Sequence, residues 1–156
     1  LAPLVRDSCM YVGISNPVDN IHAIQVGFRQ ADIALQYIIE ERNSQWIVPF
    51  AECAMHYIRA QATREIPTEM LADHSLLTIL RYDKKHDTQY FSTLRAYLGS
   101  ERNIPKAANA LIIHRTTLTY RLQKIQELFG LNLEDDYQRL YLLMSLFLLD
   151  PGEYGG

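Results

Sequence analysis

The chain has 156 residues, of which 48% are hydrophobic and 21% charged, with a formal net charge of −3. A chain of this length hides roughly two-thirds of its unfolded surface, so it can bury a real core, which excludes a disordered segment and fits an ordinary soluble globular protein. Its most apolar run, Leu140–Leu149, is shorter than the about 20 residues needed to cross a bilayer, and no membrane association is expected.

Cys9 and Cys53 lie far apart and show neither a CxxC nor a zinc spacing, so both read as reduced thiols of a cytoplasmic protein. No secretory signal pattern is visible. The sequence opens at Leu1 rather than a methionine, and the expectation is an excised C-terminal fragment.

In chain order, Cys9–Ser15 reads as a strand, with Met10, Val12 and Ile14 alternating against Tyr11 and Gly13. Asn16-Pro17 then makes a turn. Asp19 or Asn20 caps a long helix with apolar positions Ile21, Ile24, Phe28, Ala31, Leu35 and Ile38, ending in the charged stretch 40–43. Trp46–Phe50 is a short strand that Pro49 confines to an edge or a strand end. A strand–helix–strand unit of this size is too small to make a stable sheet alone. The strings VGIS and FRQADIAL resemble the closing part of a GGDEF-like domain. No GG[DE]EF string accompanies them, so the resemblance implies a truncated structural remnant that pairs its open edge with a second copy, not a cyclase.

Ala51–Gln61 reads as a helix with Ala54, Tyr57, Ile58 and Gln61 on one face, and 62–68 as a domain boundary. Asp73 or Ser75 caps the next helix, which turns Leu76, Leu77, Ile79 and Leu80 inward. The charged turn 83–87 breaks it, and Asp87 caps a helix over Thr88–Leu98 that packs Tyr90, Phe91, Leu94, Tyr97 and Leu98. Gly99-Ser100 closes that helix.

The most informative stretch follows, from Asn103 to Phe129. Asn103 is an N-cap, Pro105 sits in the first turn, and Ala107, Ala108 and Leu111 form a small-residue face that lets another helix approach. Ile112, Ile113 and His114 make a turn, with Ile113 wedged between helices. At about 100° per residue, Leu118, Leu122, Ile125 and Phe129 share one sector of the helix Arg115–Phe129. Thr116, Tyr120, Gln123 and Glu127 lie opposite, with Thr119 and Lys124 beside them; Arg115 and Arg121 flank the apolar stripe. Gly130 ends the helix in a position tolerant of positive φ. Two helices joined by a tight turn, one side apolar and the other polar and basic, form the plan of a helix-turn-helix DNA reader. Residues 101–130 carry five bases against Glu101 and Glu127, a local net charge of +3 on an acidic chain, as phosphate contact requires.

The run HRTTLTYRLQKIQELFGLNLEDDYQRLYLLMSL resembles the C-terminal helix-turn-helix of PucR-type transcriptional regulators, the purine-catabolism and sugar-diacid group. His114, Arg115, Thr117, Leu118, Tyr120, Arg121, Leu122, Ile125, Leu128, Gly130 and Arg139 stand at matching positions, and the resemblance covers about residues 70–149. The helix pair is also similar to the DNA-binding end of Fis-type proteins. Thr116 stands where the PucR pattern has Asn. The resemblance implies a transcription factor, often an activator, whose small-molecule effector is sensed by upstream domains.

Beyond Gly130, Leu131 and Leu133 alternate in an extended link. Glu134, Asp135 and Asp136 then open a last helix at its positive dipole end. Residues 131–156 carry a net charge of −4, so this end should face away from DNA. Leu140–Leu149 is apolar nearly all round and reads as a core helix or, alternatively, a dimer contact. Pro151 and Gly152 stop it before a mobile tail.

The fold expected is mainly α: a Fis-like helix-turn-helix bundle at the C-terminus, preceded by a small strand–helix–strand remnant of an α/β domain. Its parts are residues 1–62, a DNA-binding domain over 69–150 and a tail over 151–156. The expected partner is double-stranded DNA, bound by a homodimer. Arg115 is the leading phosphate or base contact. Tyr120 is assigned to the DNA backbone, Thr117 either to a contact or to capping, and Arg121 either to phosphate or to an acidic residue of the last helix. His114 reads as an N-cap before a base reader; Lys106, Thr116, Thr119, Gln123 and Lys124 complete the candidates. The remaining histidines fall in no metal-ligand spacing, and there is no HExxH, Gly-rich phosphate loop or GxSxG, so neither metal, cofactor nor enzyme activity is expected. The alternatives are a protein-interaction or oligomerisation helix-turn-helix, and a nucleotide-binding or catalytic remnant in residues 1–50.

Overall fold

Gly13 sets the architecture of the N-terminal part. In a computed structural model, which describes residues 10–40 and 45–149, strand β1 (Val12–Ile14) runs directly beneath helix α1 (Ile24–Glu40). A Cβ on Gly13 would lie 2.0 Å from the carbonyl oxygen of Ala31, so only glycine lets strand and helix touch there. Helix α1 then returns the chain to β2 (Ile47–Pro49), which pairs parallel with β1 in the register Val12 to Ile47, Gly13 to Val48 and Ile14 to Pro49. Parallel pairing needs such a crossover. Pro49 is the last strand residue, as its missing N–H requires. Tyr11 stacks on Trp46 beside the pair, with ring centroids 5.4 Å apart.

Asn20, not Asp19, is the cap; its side chain accepts from the N–H of Ala23 in a 3-10 turn (Ile21–Ala23) that leads into α1. The buried face of α1 is Gly27, Ala34 and Ile38, whereas Ile21, Ile24 and Phe28 point to solvent, contrary to the apolar stripe read from spacing. Close approach favours the small side chains, and hydrophobicity does not register that. Helix α2 (Phe50–Ala62) buries Cys53 against Ala34, Ile38 and Val48 to close a small core. Ile58 and Gln61, expected on its inner face, are exposed. Cys9 and the tail 151–156 lie outside the described residues, as do positions 41–43 of the predicted charged stretch.

The described chain divides into two compact units between Arg64 and Glu65. The second opens with a short helix that spacing did not reveal, α3 (Thr68–Leu71), followed by α4 (His74–His86), whose N-cap is Asp73 accepting from the N–H of Ser75 at 2.8 Å. Helix α4 runs through the charged segment expected to break it, ending only at Asp87 in the left-handed region. Helix α5 (Tyr90–Gly99) is capped from α4 rather than by Asp87: the Asp83 carboxylate accepts from the N–H groups of Tyr90 and Phe91, at 2.9 and 2.8 Å, and from the Thr88 hydroxyl. Helices α6 (Ile104–Ala110), α7 (Arg115–Phe129) and α8 (Asp136–Leu149) complete the unit.

One core joins these helices. Leu76 and Ile79 of α4, Leu94 and Leu98 of α5, Ala107 and Ala108 of α6, Leu118, Leu122 and Ile125 of α7, and Leu142 and Leu146 of α8 are all buried in it. Leu131 and Leu133 of the link add to it. The buried hydroxyl of Ser145 donates to the carbonyl of Tyr141 and accepts from the N–H of Asp73, so it costs no unmet hydrogen bond. Helix α8 is less enclosed than its composition predicts, since Leu140 and Tyr141 are exposed. The architecture is mainly α with a small parallel pair of strands, as expected.

Candidate nucleic-acid interface

Two caps fix the helix pair. Asn103 accepts from the N–H of Lys106 at 2.9 Å and starts α6, with Pro105 where no N–H is needed. His114 starts α7 in the capping role the sequence favours: its Nδ1 accepts from the N–H of Thr116 (3.4 Å) and lies 2.8 Å from that residue's hydroxyl. Between them, Ile113 packs against the core while Ile112 stands in solvent at φ 55. Gly130 at φ 66 ends α7, whose bounds are those read from the sequence.

The polar side of α7 is open. Thr116, Thr117, Thr119 and Gln123 are exposed, and Tyr120 is 58% exposed. Arg115, Thr116, Thr119, Tyr120 and Gln123 line a groove whose far wall is Ile104 and Pro105 of α6. That wall was not among the predicted site residues; an exposed proline beside the cap was the available signal. Arg115 is exposed and makes no ion pair among the described residues; its carbonyl accepts from the Thr119 hydroxyl at 3.0 Å. Lys106 is exposed on α6.

The remaining bases are engaged. Arg121 turns away from the open face and donates to Gln89 Oε1 (3.2 Å) and to the buried Thr93 hydroxyl (3.4 Å) of the α5 end. Its partners within the protein therefore belong to α5 and not to the acids of α8, because at its angle on α7 the nearest acceptors are there. Lys124 is paired with Glu127 at 2.7 Å, and Gln123 also donates to Glu127. These bonds hold the Glu127 carboxyl below the usual range, first through Lys124 and then Gln123, and hold the Lys124 ammonium up. Arg102 donates toward the Tyr97 hydroxyl and pairs with Glu134, contacts that in that order raise its pKa. Of the five bases counted in the sequence, only Arg115 and Lys106 are left without a partner among the described residues.

Aromatic rings close the far end of the helix. Tyr82 meets Phe129 edge-on at 5.5 Å, stacks on His86 at 4.2 Å and lies 5.9 Å from Tyr90. Burial raises the Tyr90 phenol, with Tyr82, Tyr120 and Asp83 adding to the rise and Lys124 opposing it. No group of three or more potential metal ligands occurs among the described residues, and no helix among them is long and apolar enough to cross a membrane.

A helix with its oily side in a shared core and its polar side free, held against a second short helix by a capped turn, defines a helix-turn-helix domain. Residues 90–148 match the PucR C-terminal helix-turn-helix domain. The chain is 28% identical over 144 residues to the proline-responsive transcriptional activator PutR of Bacillus subtilis, a match covering 90% of this chain and 34% of that protein. It is 29% identical over 136 residues to the purine catabolism regulatory protein of the same organism, covering 86% and 25%. The DNA-binding transcriptional activator AdeR, also of Bacillus subtilis, is 28% identical over 76 residues, covering 49% and 18%. The chain thus spans about a third or less of the curated relatives it matches. No solved structure matches it.

Proposed function

We propose that the chain is the DNA-binding end of a transcriptional regulator that reads duplex DNA with α7 in the major groove. The observation that carries this is the open row of Thr116, Thr119, Tyr120 and Gln123, with Arg115 at its head, on a helix whose opposite side is core. Side chains of this kind on a helix meet base edges, while unpaired bases fix register on phosphates. Arg115 is the leading contact, with Lys106 on phosphate and His114 as a cap. Thr117 and Lys124 remain candidates, Lys124 after release from Glu127; Arg121 braces α7 on α5 through its hydrogen bonds to Gln89 and Thr93. Names of the three relatives, all transcriptional or catabolic regulators, support the same assignment.

The working unit is a homodimer on two half-sites, since a single module offers little charge and surface. A small-molecule effector acts through other domains of the longer protein, which resides in the cytoplasm. The strand–helix–strand unit is the closing part of a GGDEF-like α/β domain; its support is the VGIS and FRQADIAL resemblance and the parallel β1–α1–β2 crossover.

Selection of duplexes from a random pool, repeated at two salt concentrations, tests the reading. A recurring motif, lost or relaxed on Arg115→Ala at a cost of about 1–3 kcal/mol, is the expected result if Arg115 reads a base. Strong self-association with no salt-dependent duplex binding would instead favour a protein-interaction module.

A further inference from the structure

We propose that the last turn of α4, through Lys84 and Lys85, is a second phosphate-gripping surface of the DNA interface. It lies on the flank of α7 opposite α6, and the proposal rests on the DNA-binding reading above.

Two things on the polar face lead there. First, charge is short: Arg102, Arg121 and Lys124 are tied up within the protein, which leaves Arg115 and Lys106. Duplex binding is carried largely by phosphate neutralisation, and two cations supply little of it. Second, a major groove about 12 Å wide is nearly filled by one helix of 10–12 Å, so the elements on either side of that helix meet the phosphate rims.

One flank of α7 is α6, through Ile104 and Pro105 against the groove. The other is the corner between α4 and α5. Arg121 bonds to Gln89 and Thr93 there, and Tyr82 of α4 sits against Phe129 at the end of α7. His86 stacks on Tyr82, which anchors the last turn of α4 to that corner. The carboxylates beside the two lysines differ in role. Asp83 turns both oxygens inward onto Thr88, Tyr90 and Phe91, so its charge is taken up by the start of α5. Asp87 stays exposed and is the one opposing charge in that turn. Lys84 and Lys85 are exposed and unpaired among the described residues. The competing explanation is local: cations at a helix C-terminus favour its dipole, which affects stability and not DNA.

The test uses the full chain and a fluorescent mixed-sequence duplex, titrated over a range of salt. Lys84→Ala/Lys85→Ala should weaken binding to all duplexes alike and make the plot of log K against log[salt] shallower by about 2, each single variant by about 1. Lys84→Arg/Lys85→Arg should restore the slope. Thermal melting verifies that each variant folds, and the single variants serve if the double one does not. An unchanged slope in folded variants, with the wild type binding and Arg115→Ala still weakening it, overturns this proposal alone. A wild-type chain with no salt-dependent duplex binding overturns both.

Discussion

Ile112 holds a β-branched side chain in the left-handed region at φ 55, with 93% of its surface in water. That conformation costs an L-residue about 1–2 kcal/mol, and glycine adopts it freely. Ile112→Gly should therefore raise stability by about 1 kcal/mol in urea unfolding; a loss would mean that Ile112 makes a contact outweighing its strain. Gly13 is the opposite case. Gly13→Ala sets a methyl 2.0 Å from the Ala31 carbonyl, and overpacking of this sort costs about 1–3 kcal/mol or more. Buried Cys53 reports on it: burial pushes its thiol up, and its Sγ–H donates to the Phe50 carbonyl at 3.4 Å. In a Cys9→Ser background, thiol labelling should be slow in the parent and fast with Gly13→Ala. At Glu127 the carboxyl is held low by Lys124 and Gln123. Its bridge is therefore intact above the ordinary carboxylate pKa and is lost as pH falls through the lower folded value. NMR titration of that carboxyl should show the depression, and Lys124→Met should shrink it; both groups are exposed, so little stability follows.

Elements whose ends are marked by local chemistry were legible in the sequence, and those fixed from elsewhere in space were not. Helix α7 follows its reading from Arg115 to Phe129 because its apolar period lies within it and its cap, His114, and terminal glycine, Gly130, adjoin it. The start of α5 was misread because its cap, Asp83, belongs to the preceding helix and reaches the N–H groups of residues seven and eight positions on. Helix α1 was read with the wrong face at its first turns because glycine and alanine, not large apolar residues, meet the strand. In the candidate site, exposure of Thr116, Tyr120 and Gln123 was readable from angle alone. The partners of Arg121 were not, since they depend on which element flanks that side of α7, whereas the Lys124–Glu127 pair is an i,i+3 contact within α7 itself. Arg121 gives the corresponding prediction. It joins α7 to α5 through Gln89 and Thr93, so Arg121→Ala should cost about 0.5–1.5 kcal/mol of stability. It should leave the salt slope of DNA binding unchanged; a slope shallower by about 1 would return Arg121 to the phosphates.

At the scale of the whole chain, the net charge of −3 conceals a division by place. Among the described residues, unpaired cations stand on the helix pair (Arg115, Lys106) and at the end of α4 (Lys84, Lys85), while Glu134, Asp135 and Asp136 gather at the head of α8. Such a polarity orients one face toward a polyanion without giving a single copy much hold on it. If two copies act together, their reading helices are set apart by the protein, and the duplex must present its half-sites on one side of the helix, about one turn or roughly 34 Å apart. Binding to a selected site should then be steep in protein concentration. Inserting half a helical turn between the half-sites should abolish joint occupancy, because it rotates one major groove to the opposite side, while a full turn should restore part of it. A footprint of one half-site, indifferent to the insertion, would show instead that one module binds alone; the phosphate contacts available to that module would then have to supply the whole affinity, and its salt slope would report how many there are.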